Sequence, residues 1–175
     1  MEILIVDDSP TSRMLLETIL KNAGYTQLTS AATAQEALDL LRAWNGLPDL
    51  VLMDINMPGM DGIEATRIIK ADPKLRDVQI IMVTVSDEEE YLEQAFEAGA
   101  VDFINKPVSK VELRARIRSV LRLKNEMDRR KERERELEDL TFRLAEQSNL
   151  DCLTSVGNRR CFNGLYAKEW DRARR

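Results

Sequence analysis

Five short runs of aliphatic and β-branched residues, separated by longer stretches with helical punctuation, occupy residues 1–122 of this 175-residue chain. The runs are residues 2–6, 27–31, 50–53, 79–83 and 101–104. Strands alternating with helices in this way form β/α repeats, which build a parallel sheet. The runs at 50–53 and 80–83 are apolar without interruption, as strands covered on both faces must be. Helix boundaries are written between them. Ser9 and Pro10 supply an N-cap and a first-turn proline, and Gly24 stands where a C-terminal glycine belongs. Thr33 with Glu36 and Ser109 with Glu112 read as capping boxes opening a second and a fifth helix. A third helix is predicted from about 63 to 71, stopping before Pro73, and a fourth from 88 to 98, ending at Gly99. The second helix closes near Trp44-Asn45-Gly46. The pattern predicts an α/β fold with an open, doubly wound, five-stranded parallel sheet. Ligands of such sheets bind beyond the carboxyl ends of the strands.

The fifth helix has no stop signal. From residue 110 to about 148 there is neither glycine nor proline. Apolar residues recur at Leu113, Ile117, Val120, Leu123 and Met127, and again at Leu137, Leu140 and Leu144. These spacings fit a coiled-coil seam at both ends, but the intervening DRRKERERE is wholly polar. A solvated single helix is the alternative. Glu and Arg alternate in that stretch, which favours ion pairs within the helix over contact with nucleic acid.

Composition excludes several chemistries. The chain has no histidine, so it holds no Ser-His-Asp triad, no His-ligated metal and no internal phosphohistidine. Cys152 and Cys161 are the only cysteines and form no CxxC pair, so neither a disulfide framework nor a zinc knuckle is expected. No apolar run approaches the roughly 20 residues that cross a bilayer, and a cytoplasmic location is the expectation. The net charge of −5 hides an asymmetry: residues 1–110 carry 19 acidic and 9 basic side chains, residues 111–175 carry 12 and 17.

The predicted strand ends carry the chemistry. The first run ends in Asp7 and Asp8, the third in Asp54 and the fourth in Thr84, while Lys106 and Pro107 follow the fifth. In a parallel sheet these ends share one edge. Two carboxylates about 4 Å apart repel by roughly 4 kcal/mol at an effective dielectric near 20. A hard dication offsets that, and magnesium (Mg2+) suits an open site of a few carboxylates, a carbonyl and water. A helix N-terminus favouring acids accounts for Asp8 but not for the convergence with Asp54 and Lys106. Asp54, alone at the tip of a central strand, is the candidate nucleophile for a phosphoryl group. Lys106 and the Thr84 hydroxyl are placed to contact the phosphoryl oxygens, and the Asn56 carbonyl to complete the metal shell.

IVDDS, LVLMDINMPGMDG, IIMVTVS and GAVDFINKP, in that order, resemble the receiver domain of two-component response regulators. The resemblance implies Asp54 as phosphoacceptor, with Asp7, Asp8, Asp54 and the Asn56 carbonyl around magnesium. It implies Thr84 and Phe103 as a switch pair, in which phosphorylation draws the hydroxyl inward and the ring follows. It also implies Lys106 as the family's lysine and a cis peptide before Pro107. Val85 departs from the usual alanine or glycine and is expected to restrict access to Asp54. The phosphoryl donor must be external: a cognate histidine kinase, a phosphotransfer protein or a small-molecule phosphodonor.

Asp151-Cys-Leu-Thr154 and Asn158-Arg-Arg160-Cys-Phe162 resemble the opening of the GGDEF diguanylate cyclase family, with Ser155 and Val156 replacing glycine and leucine. No Gly-Gly pair follows, so these residues by themselves do not make cyclic di-GMP. The expected organisation is a receiver at 1–122, a helical linker at 123–149 and the start of a GGDEF-type domain at 150–175. Homodimerisation through receiver and linker is expected to align two cyclase domains. Acidic residues of the fourth helix (Glu88, Glu89, Glu90, Glu93, Glu97) are expected to cross-match Arg114, Arg116, Arg118 and Arg122 of the fifth. The alternative is a free-standing adaptor that binds a partner protein when phosphorylated. No helix-turn-helix pattern is present, so nucleic acid is not an expected partner.

Overall fold

The computed structural model describes residues 1–44, 46–85 and 89–149. The elements run β1 (Glu2–Val6), α1 (Pro10–Asn22), β2 (Gln27–Ala31), α2 (Ala34–Ala43), β3 (Leu50–Asp54), α3 (Gly62–Ala71), β4 (Gln79–Thr84), α4 (Glu89–Glu97), β5 (Asp102–Asn105) and α5 (Lys110–Asn149). All five strands pair in parallel in the order β2-β1-β3-β4-β5. The doubly wound sheet expected from the alternation is therefore present, in the flavodoxin-like α/β order that the resemblance to receivers implies.

Two of the predicted caps, Ser9 and Thr33, act where the sequence places them, and Asp61 adds one that the sequence reading did not single out. Glu112 of the predicted fifth-helix box pairs with Arg116. Ser9, Thr33 and Asp61 cap α1, α2 and α3 by accepting from the amides of Ser12, Glu36 and Glu64. Gly24, at φ 93°, turns the chain after α1, a conformation that a β-carbon disfavours. The strands differ slightly from their predicted bounds. β3 and β4 each include the polar residue expected to follow them, since Asp54 pairs with Val83 and Thr84 with Asn105. The last strand starts one residue late, because Ile81 faces Asp102 and Val101 is exposed.

Alternation along the strands divides the core between the two sheet faces. Leu4, Val6, Val51, Met53, Ile80 and Met82 pack with residues of α2, α3 and α4. Ile3, Ile5, Leu50, Leu52, Ile81 and Val83 pack with Leu16, Ile19 and Leu20 of α1 and Leu113, Ile117 and Val120 of α5. Burial of a Leu or Ile side chain contributes about 1.5–3 kcal/mol, so these two layers hold the sheet.

The chain divides into two compact units, Met1–Asn125 and Glu126–Arg175. The described part of the second is the continuation of α5, which runs through DRRKERERE. Arg130 pairs with Glu134 at 3.2 Å and Arg143 with Asp139 at 2.7 Å, one helical turn apart. Its Leu137, Leu140, Phe142 and Leu144 are exposed. The GGDEF-like stretch, with Cys152 and Cys161, lies outside the described residues, as does Glu88. Among the described residues no helix is long and apolar enough to cross a membrane.

Candidate functional site

The strand order reverses between β1 and β3, the point at which a doubly wound sheet opens a crevice. Val6 is opposite Met53, so the residues that follow, Asp7 and Asp54, emerge side by side. One carboxylate oxygen from each of Asp7, Asp8 and Asp54 lies within 4.8 Å of the others. Asp7 and Asp54 are buried and Asp8 is exposed.

Lys106 closes the cluster. Its Nζ donates to Asp7 Oδ2 at 2.8 Å and to Asp54 Oδ2 at 2.7 Å. Its main-chain N–H donates to the Thr84 carbonyl at 2.7 Å, which ties it to the end of β4. The second oxygens are used as well: Asp7 Oδ1 accepts from the Ser9 amide at 2.9 Å and Asp54 Oδ1 from the Asn56 amide at 3.3 Å. The peptide between Lys106 and Pro107 is cis.

Burial pushes the Asp54 carboxyl above the ordinary aspartate range, Lys106 opposes this, and the Asp7 charge adds to it. Burial also acts against the Lys106 ammonium, but its hydrogen bonds to Asp54 and Asp7 outweigh that and raise its pKa. The two carboxylates thus hold Lys106 in its charged form, whereas Lys106 offsets only part of the burial that acts against the Asp54 carboxylate. The three carboxylates are hard oxygen donors and one faces solvent, so the set fits a magnesium-type dication that retains water.

Two contributors were not among the predicted site residues. Arg13 Nη1 donates to the carbonyls of Asp7 and Asp8 at 2.6 and 3.1 Å, so a second cation flanks the acidic pair. Gly62 is the other. A β-carbon there would lie 2.0 Å from the main-chain oxygen of Asp54, so only glycine lets α3 start beneath it. The Gly62 amide donates to the Ile55 carbonyl, and the buried Thr66 hydroxyl donates to the Gly62 carbonyl at 2.8 Å. A glycine directly after the N-cap Asp61, rather than beyond a helix end, was the available hint.

The remaining predicted residues lie around this cluster. Thr84 is fully buried at the end of β4, and Val85 beside it is 65% exposed. Phe103, on β5, is half-buried and meets Phe96 edge-on, with ring centroids 6.1 Å apart. On α5, Arg116 is paired with Asp102 and Glu112 of the same chain, whereas Arg114 and Arg118 line a groove with Ala23 and Tyr25. A step of four keeps Arg114 and Arg118 on one flank of the helix, and a step of two puts Arg116 on another.

A parallel five-stranded sheet with acids and a lysine at its switch point is the architecture of a phosphorylation-type receiver. The model of the response regulator receiver domain matches residues 3–118, and the chain belongs to that family. Response regulator PleD of Caulobacter vibrioides is 39% identical over 132 residues, which are 75% of this chain and 28% of PleD. Cyclic di-GMP phosphodiesterase response regulator RpfG of Xanthomonas campestris is 36% identical over 139 residues, 79% of this chain and 36% of RpfG. The chain therefore spans about a third of the length of these relatives. A receiver domain protein from Methanospirillum hungatei superposes with a TM-score of 0.66 at 32% identity, covering 72% of this chain and 97% of that one. Receivers of this family act in two-component signalling with histidine kinases or phosphotransfer proteins.

Proposed function

We propose that this receiver accepts a phosphoryl group on Asp54 and passes the resulting change to a diguanylate cyclase domain through α5. The observation that carries the reading is the Lys106 ammonium bridging Asp7 and Asp54 at 2.8 and 2.7 Å within a three-carboxylate pocket. In the reaction an Asp54 carboxylate oxygen attacks the phosphorus of a kinase phosphohistidine. A P–O bond forms, the P–N bond breaks, and the imidazole leaves with the electron pair and takes up a proton. Asp7, Asp8, Asp54 and the Asn56 carbonyl would hold magnesium, which neutralises charge between the carboxylate and the phosphoryl oxygens. Lys106 pairs with the phosphoryl group once Asp54 carries it as an acyl phosphate, and the Thr84 hydroxyl donates to it. Phe103 moves with Thr84, and Val85 stands at the entrance.

The output half of the reading has separate support. The chain is divided as a receiver at 1–122, a linker at 123–149 and a GGDEF-type start at 150–175. Similarity to a cyclic di-GMP phosphodiesterase response regulator supports a link to that messenger. Exposed Leu137, Leu140 and Leu144 at spacings of three and four support pairing of two linker helices. Phosphorylation then biases a two-state dimer that brings two cyclase domains together over GTP.

Sedimentation equilibrium of wild type and Asp54→Ala, with magnesium and with or without beryllofluoride as phosphoryl mimic, tests this. The reading expects the mimic to drive wild type to a dimer and to leave the alanine variant unchanged. A wild type that binds the mimic yet stays monomeric would instead support the adaptor reading.

A further inference from the structure

Phe103 is gripped from two sides. Phe96 of α4 meets it edge-on, and the Arg116 guanidinium of α5 lies over its ring, with Cζ 5.5 Å from the centroid. That guanidinium has little freedom of its own. Arg116 Nη1 donates to Asp102 Oδ1, and Nε and Nη2 both reach Glu112 Oε1, at 2.9 and 2.8 Å. Asp102 Oδ1 also accepts from the Phe103 amide at 2.9 Å, so one carboxylate oxygen anchors both the cation and the strand carrying the ring. The guanidinium is about one-third exposed, which leaves the cation–π contact partly desolvated and stronger than at a fully open surface.

We infer that Arg116 is a positioning residue for Phe103, a latch whose contact with the ring favours the unphosphorylated conformation of the receiver. The inference rests on the proposed reading in which the ring moves when Asp54 is phosphorylated. Arg116 is tied to Asp102 on the strand and to Glu112 one turn earlier on its own helix, so it does not follow the ring. Movement of Phe103 therefore breaks the stack, and the free energy of that contact is subtracted from the affinity for a phosphoryl group. The bidentate grip depends on the guanidinium's planar fork, which an ammonium does not reproduce.

Calorimetric titration of the full chain with beryllofluoride in excess magnesium reads the latch. Arg116→Gln is expected to tighten apparent binding about threefold, the size of a partly exposed cation–π contact. Arg116→Lys is expected to fall between it and wild type, and serves if the glutamine variant fails to fold. In a Phe103→Leu background the Arg116→Gln change should have no effect on binding, an outcome that loss of a merely structural ion pair would not produce. Unchanged or weakened binding in both Arg116 variants, while wild type binds the mimic and Asp54→Ala does not, overturns the latch and leaves the phosphoacceptor reading intact. Absence of binding by wild type overturns both.

Discussion

The two ends of α5 contrast most sharply in this molecule. Its first turns carry Leu113, Ile117, Val120 and Leu121, all buried against the sheet. Its later turns carry Leu137, Leu140 and Leu144 at similar spacing, and these are 54–62% exposed. Identical periodicity thus has two fates. In the first region the stripe is covered by strands whose own residues point at it, and burial stabilises the fold. In the second, ion pairs between residues one turn apart support the helix, each worth only about 0.2–0.5 kcal/mol. Apolar spacing predicts a face in search of cover; it does not say whether the cover is the same chain.

The largest expected effect breaks the first region. Ile117→Ala should lower receiver stability by about 2–4 kcal/mol in urea unfolding, because it leaves a cavity in a close-packed layer. Next is Gly62→Ala, expected to cost about 1–3 kcal/mol, since the new methyl collides with the Asp54 carbonyl and α3 must shift. Magnesium binding should weaken alongside, a loss that Ile117→Ala need not share. A preserved magnesium affinity in Gly62→Ala would separate the α3 start from the acidic pocket.

A pH effect of opposite sign follows from Asp54. Its carboxyl is raised by burial, so its contribution to stability is fully present below the unfolded aspartate pKa and is lost as pH rises through the folded value. Asp54→Asn should therefore raise the stability of the metal-free protein at neutral pH by about 1 kcal/mol, or several degrees in Tm. No gain at pH 7 relative to pH 4 would mean that Lys106 already compensates the buried charge fully. Replacing Lys106 by Met should raise the Asp54 pKa further, moving the pH midpoint of phosphorylation by a small-molecule donor upward. The smallest effect sharpens the contrast: Leu140→Ala should change receiver unfolding by less than about 0.5 kcal/mol. A larger loss that grows with protein concentration would instead reveal a partner helix.

Much of this was legible beforehand because it depends on neighbours in the chain. Ser9 and Thr33 act within three residues of themselves, and strand alternation needs only a side chain and its next-but-one neighbour. Asp7, Asp54, Thr84 and Lys106 were recognisable from their positions at strand ends. The boundaries of β3, β4 and β5 shifted because pairing across the sheet, rather than local propensity, decides where a strand stops. Arg13 and Gly62 escaped notice since each acts on the main chain of another element, and no spacing rule reports a carbonyl. The division of Arg114, Arg116 and Arg118 between two flanks of α5 likewise needed the position of β5 and α1.

The sequence alone determined the element order, the parallel α/β class, the helix caps and the chemical kinds of residue at the strand ends, all through interactions spanning a few residues. Only the tertiary structure decided the register of β1 on β3 that puts the Lys106 ammonium within 2.8 Å of both Asp7 and Asp54, and that Arg116 lies over Phe103. Those outcomes depend on which distant strands pair and how closely backbones approach, and long-range packing settles both.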